Sequence, residues 1–242
     1  MKSGLIKKIL SETEIGYDMV ADKFSQTRSR FWKELGFIGR FAKEGDRVLD
    51  FGCGNGRLLE ILRDKNIDYV GADVSARLID QAQKKYKQEK GFCRINFLKI
   101  DNDFKYLPFQ KGCFGVVYSI AVFHHIPDAQ KRLAMAKELY RLVEQGGYVV
   151  VTVWNLWSSG HKKNYRKLIF KNWKDKLLGK SSLDWNDCWI TFTDNQGQKF
   201  NRFHHAFTKS ELRKLFLTAG FEVRACKVIR GNIVLWGRKG VE

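Results

Sequence analysis

The stretch Val48–Leu59 constrains the fold more than any other part of the chain. An apolar run ends in Asp50, glycines follow at positions 52, 54 and 56, and an apolar-periodic segment begins directly after them. This order predicts a buried strand, a tight loop and the start of a helix. Glycines suit such a loop because it needs positive φ angles and because a ligand must approach bare backbone. The nicotinamide-dinucleotide spacing G-x-G-x-x-G would require glycine at position 57, where the chain has Arg57.

The rest of the chain alternates strand and helix patterns, which predicts an α/β fold with a parallel sheet covered on both faces. Residues before the first strand, 12–43, have apolar positions near helical spacing. We expect strands at 47–51, 68–73, 94–100, 115–120 and 147–153. Helices are expected at 56–64, 76–89, 129–144 and 209–219, and a closing antiparallel pair at 221–229 and 232–236.

Composition bounds the class of protein. A chain of 242 residues with 44% hydrophobic residues can bury a substantial core, and we expect a single domain. No 18-residue apolar run and no signal-peptide core are present in the sequence. The five cysteines are scattered without C-x-x-C spacing, so neither a metal site nor a disulfide framework is indicated. A reducing, cytoplasmic location and no membrane partner are therefore expected.

The net charge of +18 is the second strong constraint. Such a surface attracts polyanions, with nucleic acid as the first candidate partner, although a merely soluble basic protein is the alternative. Within 154–206, the run His161–Lys176 interleaves cations with Tyr165, Phe170 and Trp173. Cations can follow a phosphate backbone while aromatics stack on unpaired bases. The alternatives are an amphipathic helix whose aromatics pack on the core, or docking on a membrane surface.

The pattern D-x-G-x-G-x-G resembles motif I of the class I S-adenosylmethionine (SAM) methyltransferases. The resemblance implies a Rossmann-like, seven-stranded sheet and SAM as cofactor, in contact with the loop and with Asp73, which ends the second predicted strand. A carboxylate at that position can accept both ribose hydroxyls, although capping the next helix is an alternative that Ser75 also offers. Asp103, in D-x-x-x-L-P-F, resembles the acid that approaches the adenine amino group, with Asp101 as its rival. The predicted cofactor residues are Asp50, Gly52, Cys53, Gly54, Gly56, Asp73, Val74, Asp103, Phe104 and Ser119.

Three further motifs narrow the resemblance to the tRNA wobble-uridine carboxymethyl methyltransferases. They are Y-x-x-V-A-x-x-F-S-x-T-R at 17–28, S-I-A-V-F-H-H at 119–125, and the segment R-F-H-H-A-F at 202–207. The resemblance covers about 15–155 and 200–238. It implies esterification of the carboxylate of 5-carboxymethyluridine in the anticodon loop of tRNA, and it makes a small activator protein a candidate partner. A related modified uridine is an open alternative for the acceptor.

A carboxylate is already a competent nucleophile at neutral pH, so this chemistry needs positioning rather than a general base. Arg28 and Arg202 offer planar forks for the substrate carboxylate, and His125 and His205 complete the predicted catalytic set. Each of these side chains has a plain structural alternative, a solvated arginine or a packed histidine. No metal ligand is expected.

The resulting organisation is one domain over 1–242. It comprises an N-terminal helical cap at 12–43, a SAM-binding core at 44–153, a basic lid at 154–206, and a C-terminal helix and hairpin at 207–242. A SAM-dependent methyltransferase of a small molecule is the alternative function, and a binding module without catalysis is a third.

Overall fold

A computed structural model describes residues 1–87, 94–103, 106–158 and 164–241. Its central sheet has seven strands in the order β3-β2-β1-β4-β5-β9-β8, and a separate two-stranded sheet pairs β6 with β7. Strands β1 to β5 are parallel, and β9 runs antiparallel to both β5 and β8. The predicted Rossmann-like, seven-stranded α/β fold is confirmed.

The elements agree with the predicted alternation, with shifts of a few residues at most ends. The strands are β1 Arg47–Phe51, β2 Asp68–Asp73, β3 Arg94–Lys99, β4 Phe114–Ile120, β5 Val143–Trp154, β6 Asp187–Thr193, β7 Lys199–His205, β8 Glu222–Ile229 and β9 Asn232–Arg238. The α-helices are α1 Ser3–Met19, α2 Ala21–Thr27, α3 Ala76–Tyr86, α4 Ala129–Leu142, α5 Arg166–Leu177 and α6 Lys209–Thr218.

Two predicted helical regions differ from the structure. The region 12–43 is broken: α1 begins at Ser3, a break at Val20 separates it from α2, and Lys33–Phe41 is a 3-10 helix. The helix expected at 56–64 is instead a short 3-10 helix at Arg57–Ile61. The left-handed backbone of Gly56, with φ of 76°, precedes this helix and turns the chain sharply out of the loop.

The sheet positions the site through its strand order. Strand β1 lies between β2 and β4, and the chain reverses its direction of winding there, between β1 and β4. In open α/β sheets a crevice opens at this switch point, beyond the carboxyl ends of the strands. The buried β4, in which every residue is shielded from solvent, gives that edge a rigid base.

The N-terminal helices and the β6-β7 hairpin come together above this edge. A Cβ on Gly16 of α1 would fall 2.0 Å from the Phe200 ring of β7, so only glycine permits this contact. Nζ of Lys23 also donates to the Asp194 carbonyl oxygen at 3.1 Å. Among the helices that the structure describes, none is both long and apolar enough to cross a membrane.

Candidate active site

One cavity lies over the carboxyl ends of the central strands and beneath α1, α2 and the β6-β7 hairpin. Nine of the predicted site residues line it: Arg28, Asp50, Gly52, Cys53, Gly54, Asp73, Val74, His125 and Arg202. Four others, Gly56, Asp103, Ser119 and His205, do not line it. Phe104 lies outside the described residues.

The loop glycines divide between two tasks. Gly52 has φ of 78°, and a Cβ there would fall 2.2 Å from Val122 Cγ2. Gly54 has φ of 55° and a Cβ position 3.2 Å from the Phe24 ring. Gly56 faces away from the cavity, where its Cβ position lies 2.8 Å from the Tyr86 ring and the Tyr86 hydroxyl donates to its carbonyl oxygen. The first two glycines shape the ligand side, and the third lets the loop pack on the sheet.

Asp73 anchors the loop from the end of β2. Its Oδ2 accepts the Gly54 N–H at 2.8 Å and its Oδ1 accepts the Ser75 N–H at 2.9 Å. Burial raises the pKa of this carboxyl above its usual range, while these backbone donors oppose the rise. Each oxygen keeps a further lone pair for a ligand hydroxyl. Ser75 caps α3 through its own hydroxyl, which accepts the Leu78 N–H at 3.2 Å.

Asp50 lines the cavity and holds one buried carboxylate oxygen that has no partner among the described residues. Its Oδ2 accepts from the Tyr69 hydroxyl at 2.8 Å, whereas its Oδ1 is buried and has no hydrogen-bond partner among the described residues. Burial raises the pKa of Asp50 to about 7. A cationic ligand group would supply the missing donor, and the α-ammonium group of SAM has that chemistry. The hydrogen-bond acceptors that line the cavity therefore fit SAM.

The cavity wall that follows β3 is lined by residues other than the two acids considered for the adenine contact. Ile100 and Asn102 follow β3 and line the cavity, whereas Asp101 and Asp103 are exposed to solvent. The chain turns after β3 ends at Lys99, and this turn brings the intervening amide inward. Ser119 is fully buried within β4, one residue before the strand ends, and the cavity begins at Ile120.

His125 is fixed by two hydrogen bonds that determine its tautomer. Its Nδ1 lies 2.9 Å from the Phe203 carbonyl oxygen, and its Nε2 lies 2.7 Å from the Tyr17 hydroxyl. The carbonyl can only accept, so Nδ1 carries the proton and Nε2 accepts from the phenol. Burial, with the nearby Arg202, lowers the pKa of His125 to about 3. The ring is therefore neutral, which suits positioning and not proton abstraction.

Arg28 and Arg202 meet on one aromatic ring. The guanidinium carbons of Arg28 and Arg202 lie 5.7 and 4.8 Å from the centroid of Phe192 on β6. Arg202 also lies 5.6 Å from the Trp154 ring. Arg202 is 4% exposed, and its Nε has no hydrogen-bond partner within the described residues. Neither guanidinium has an anionic partner among the described residues, so an anionic group of a ligand would be favourable beside the hairpin.

His205 is held away from the cavity by two carboxylates. Its Nδ1 lies 2.7 Å from Asp187 Oδ1 and its Nε2 lies 2.7 Å from Glu211 Oε1. Burial opposes the charged ring, but the two hydrogen bonds outweigh it, so the pKa of His205 lies above its usual value. The buried ion cluster ties β6 and β7 to α6, which is a structural task. The sequence does not predict Asp187 as a partner of His205, because Asp187 belongs to no recognisable motif.

Three imidazoles form the one group of ligand-type side chains, within the described ranges, that could surround a metal ion. The ring nitrogens of His124, His125 and His204 lie within 4.8 Å of one another. Both nitrogens of His125 are already engaged, and His204 Nδ1 donates to the Arg202 carbonyl oxygen at 3.1 Å. The adjacent Arg202 guanidinium would repel a second cation, so we assign no metal here.

Several cavity residues were not singled out by sequence reasoning. Phe31, Trp32 and Arg57 line the cavity beside the loop, and Trp154 lines the hairpin end. Tyr17 and Phe24 lie within the motif at 17–28, but that motif did not mark them as site residues. Charge beside a glycine loop was the available signal for Arg57.

The aromatics at 164–186 are partly packed and partly exposed, while the first residues of the predicted basic run, 161–163, lie outside the described residues. Trp173 is half-buried between Trp157 and Phe170, with ring centroids 6.1 and 5.2 Å away. Phe170 and Trp185 are each 49% exposed. Part of the cluster therefore packs inward while two of its rings are exposed, and stacking on bases stays a prediction.

Comparison with known proteins identifies the family. A family model described as a methyltransferase domain matches residues 23–225. The tRNA (carboxymethyluridine(34)-5-O)-methyltransferase alkbh8 of Xenopus tropicalis is 33% identical over 63% of this chain, and the match spans 22% of that protein. The Schizosaccharomyces pombe tRNA (carboxymethyluridine(34)-5-O)-methyltransferase is 23% identical, over 84% of this chain and 86% of its own length. The chain thus spans about a fifth of the Xenopus relative it matches.

Solved structures share the fold. A SAM-dependent methyltransferase of Methanosarcina mazei aligns with a TM-score of 0.71 at 22% identity, over 88% of this chain and 100% of that one. A Haloferax volcanii methyltransferase solved in complex with the Trm112 methyltransferase activator aligns with a TM-score of 0.66 at 19% identity, over 95% of this chain and 98% of that one. Together with the cavity, these matches show that the chain belongs to the methyltransferase domain family and is a SAM-dependent methyltransferase.

Proposed function

We propose that this enzyme methylates the carboxylate of 5-carboxymethyluridine, or of a closely related wobble uridine, in tRNA. The observation that carries the proposal is the pair Arg28 and Arg202, whose guanidinium carbons lie 5.7 and 4.8 Å from the centroid of one ring, Phe192 of the hairpin. Two guanidiniums that line one cavity and lack a carboxylate partner in the described chain suit an acceptor that brings its own carboxylate. The similarity to two wobble carboxymethyluridine methyltransferases supports the same acceptor.

The reaction requires that the acceptor carboxylate be aligned with the methyl group and that water be excluded. Bound SAM supplies a methyl group on a sulfonium, and the carboxylate oxygen forms the new O–C bond as the C–S bond breaks. No proton is transferred, so the neutral His125, with Nε2 already accepting from Tyr17, need not act as a base. Arg28 and Arg202 would hold the carboxylate, and the Tyr17–His125 pair would hold the hairpin end of the cavity in shape. Such positioning can supply up to about 7–11 kcal/mol of the barrier.

The surface supports a polyanionic substrate. The net charge is +18, and Lys167, Lys171, Lys174 and Lys180 are exposed on or just after α5. Phe170 and Trp185 present half-exposed rings beside these cations. A segment with this composition can contact phosphates and stack on unpaired bases. We therefore assign tRNA contact to the basic segment 164–186, and we expect the enzyme to work in the cytoplasm.

The direct test uses tRNA that carries 5-carboxymethyluridine and SAM labelled in its methyl group. The proposal predicts that the label is found on the anticodon nucleoside and that mild alkali removes it. Methyl esters hydrolyse under these conditions, whereas N-methyl and ribose O-methyl groups do not. Label that survives alkali would contradict carboxyl methylation. Transfer to a small carboxylic acid but not to tRNA would favour the small-molecule alternative.

A small activator protein belongs to the same proposal, because the Haloferax volcanii neighbour was solved with one. We expect methyl transfer to rise when such an activator is supplied at equimolar concentration. Full activity of the isolated chain, unchanged by the activator, would contradict this part of the proposal and leave the acceptor assignment intact.

A further inference from the structure

Arg57 is a buried cation that has no part in the methyl transfer described above. It follows Gly56 directly, opens the 3-10 helix at Arg57–Ile61, and turns its side chain back into the cavity. The residue is only 9% exposed, and its guanidinium carbon lies 3.7 Å from the centroid of the Trp32 ring. Burial lowers the pKa of Arg57 to about 10, so it stays charged at neutral pH.

The guanidinium has no oxygen partner in the described chain. The nearby acid Glu60 is engaged elsewhere, because its Oε2 accepts the Phe31 N–H at 2.7 Å. Asp50 acts on Arg57 only through space, and Asp50 Oδ2 is taken by the Tyr69 hydroxyl. A buried charge without a partner is costly, so this arrangement calls for an anionic ligand group.

The three cavity arginines contact different aromatic rings. Arg202 contacts Phe192 on the hairpin, and Arg28 lies between Phe192 and Phe24, whose ring packs 3.2 Å from the Cβ position of Gly54. Arg57 stacks instead on Trp32, beside the glycine loop, in the same cavity that Asp50 lines. The Asp50 carboxylate, whose Oδ1 lacks a partner among the described residues, and the unpaired Arg57 guanidinium complement an ammonium and a carboxylate carried by one ligand.

We infer that Arg57, oriented by Trp32, binds the carboxylate of the amino-acid end of SAM, while Asp50 binds its ammonium group. The assignment leaves Arg28 and Arg202 for the carboxylate of the methyl acceptor. It rests on the SAM cofactor and not on the identity of the acceptor, so it stands or falls separately from tRNA methylation.

Calorimetric binding of two ligands tests the inference without any turnover. One ligand is S-adenosylhomocysteine, and the other is its decarboxylated analogue, which keeps the amine, thioether, ribose and adenine. Arg57→Met should weaken S-adenosylhomocysteine binding by about 10- to 100-fold, the usual effect of losing a charge-assisted hydrogen-bonded pair, and should change the analogue less than about threefold. Trp32→Leu should weaken the same ligand selectively, by a smaller factor, because the guanidinium loses its support.

Two controls make the outcome decisive. Arg30→Met removes an exposed guanidinium near Arg28 and should leave both affinities unchanged. Arg28→Met should reduce both affinities about equally or not at all.

Parallel losses for both ligands in Arg57→Met, or no loss, would overturn the inference, and a selective loss in Arg28→Met would move the carboxylate contact to that residue. Thermal melting of each variant confirms that the comparison concerns folded protein, and Arg57→Lys should recover part of the selective loss.

Discussion

The Tyr17 hydroxyl on α1 lies 2.7 Å from Nε2 of His125, 108 residues away and just beyond the end of β4. On its other side His125 donates to the Phe203 carbonyl on β7. This single ring therefore joins the N-terminal helix, the central sheet and the hairpin at the cavity wall. Because the phenol occupies the only acceptor on the ring, the pair holds geometry and leaves no site for a proton from the substrate.

Tyr17→Phe removes the phenolic donor and keeps the ring packing against Phe24 and Phe200. We expect kcat to fall about 5- to 20-fold, in line with the loss of one buried hydrogen bond of about 1–2 kcal/mol, with little change in the melting temperature. Tyr106→Phe, at an exposed position, is the matched control. Steady-state kinetics with tRNA settle the point, and equal rates for both variants would contradict the positioning role.

Arg202→Met should separate function from stability. The arginine is 4% exposed and lacks a partner for its Nε among the described residues, so replacing it with an apolar side chain of similar length removes an uncompensated buried charge. We expect the melting temperature to stay level or rise, while kcat/KM for tRNA falls at least about 100-fold. A variant that loses stability and keeps its activity would show that Arg202 serves the fold.

Gly52→Ala tests the close approach at the loop. The new methyl group would need φ of 78° and would fall 2.2 Å from Val122 Cγ2. Gly45→Ala is the control for backbone strain alone, because its φ is 82° and no atom lies within 4 Å of its Cβ position. We expect the affinity for S-adenosylhomocysteine to fall by more than about tenfold in Gly52→Ala. In Gly45→Ala the affinity should stay unchanged, because backbone strain of about 1–2 kcal/mol far from the ligand lowers the stability of the fold and not the affinity. Equal affinities would contradict the role of the loop.

His205→Asn should change the pH dependence of stability. The folded pKa of His205 lies above its usual value, so its stabilising effect is complete below about pH 6.5 and is lost as the pH rises through that folded pKa. Breaking this buried cluster should cost roughly 3–5 kcal/mol near pH 6 and less near pH 9. Urea unfolding of both proteins at the two pH values measures the difference, and a pH-independent difference would contradict a charged ring. Cofactor affinity should be retained, because His205 lies outside the cavity.

Lys167→Gln combined with Lys174→Gln tests the basic segment. Both side chains are exposed on α5. The slope of log K against log salt for tRNA should become shallower by about 0.7–0.9 for each phosphate that the variant no longer neutralises. Lys214→Gln, exposed on α6, is the control and should leave the slope unchanged. Identical slopes in the unmodified protein and both variants would place tRNA binding on another surface.

The strand order and the glycine loop could be predicted because both follow from local patterns. Alternation of buried strands with helices leaves few topologies, and Asp50 and Asp73 lie at the carboxyl ends of neighbouring strands. Which side chain faces inward after a strand ends is set by the turn and not by a pattern. That is why Asn102 and not Asp103 lines the cavity.

The pairs of residues that define the rest of the site join distant segments. Tyr17 reaches His125, Trp32 supports Arg57, and Asp187 binds His205. None of these pairs has a fixed sequence spacing, so only the folded chain brings them together. His205 illustrates the consequence, because its motif suggested a site residue while its partners make it part of an ion cluster.

Nucleoside mass spectrometry of tRNA from cells with and without this gene tests the central claim most directly. We expect wobble carboxymethyluridine to accumulate without the gene, and its methyl ester to return when the intact gene is restored but not with Arg202→Met. An unchanged amount of the methyl ester in cells without the gene would contradict carboxyl methylation of the wobble uridine by this enzyme.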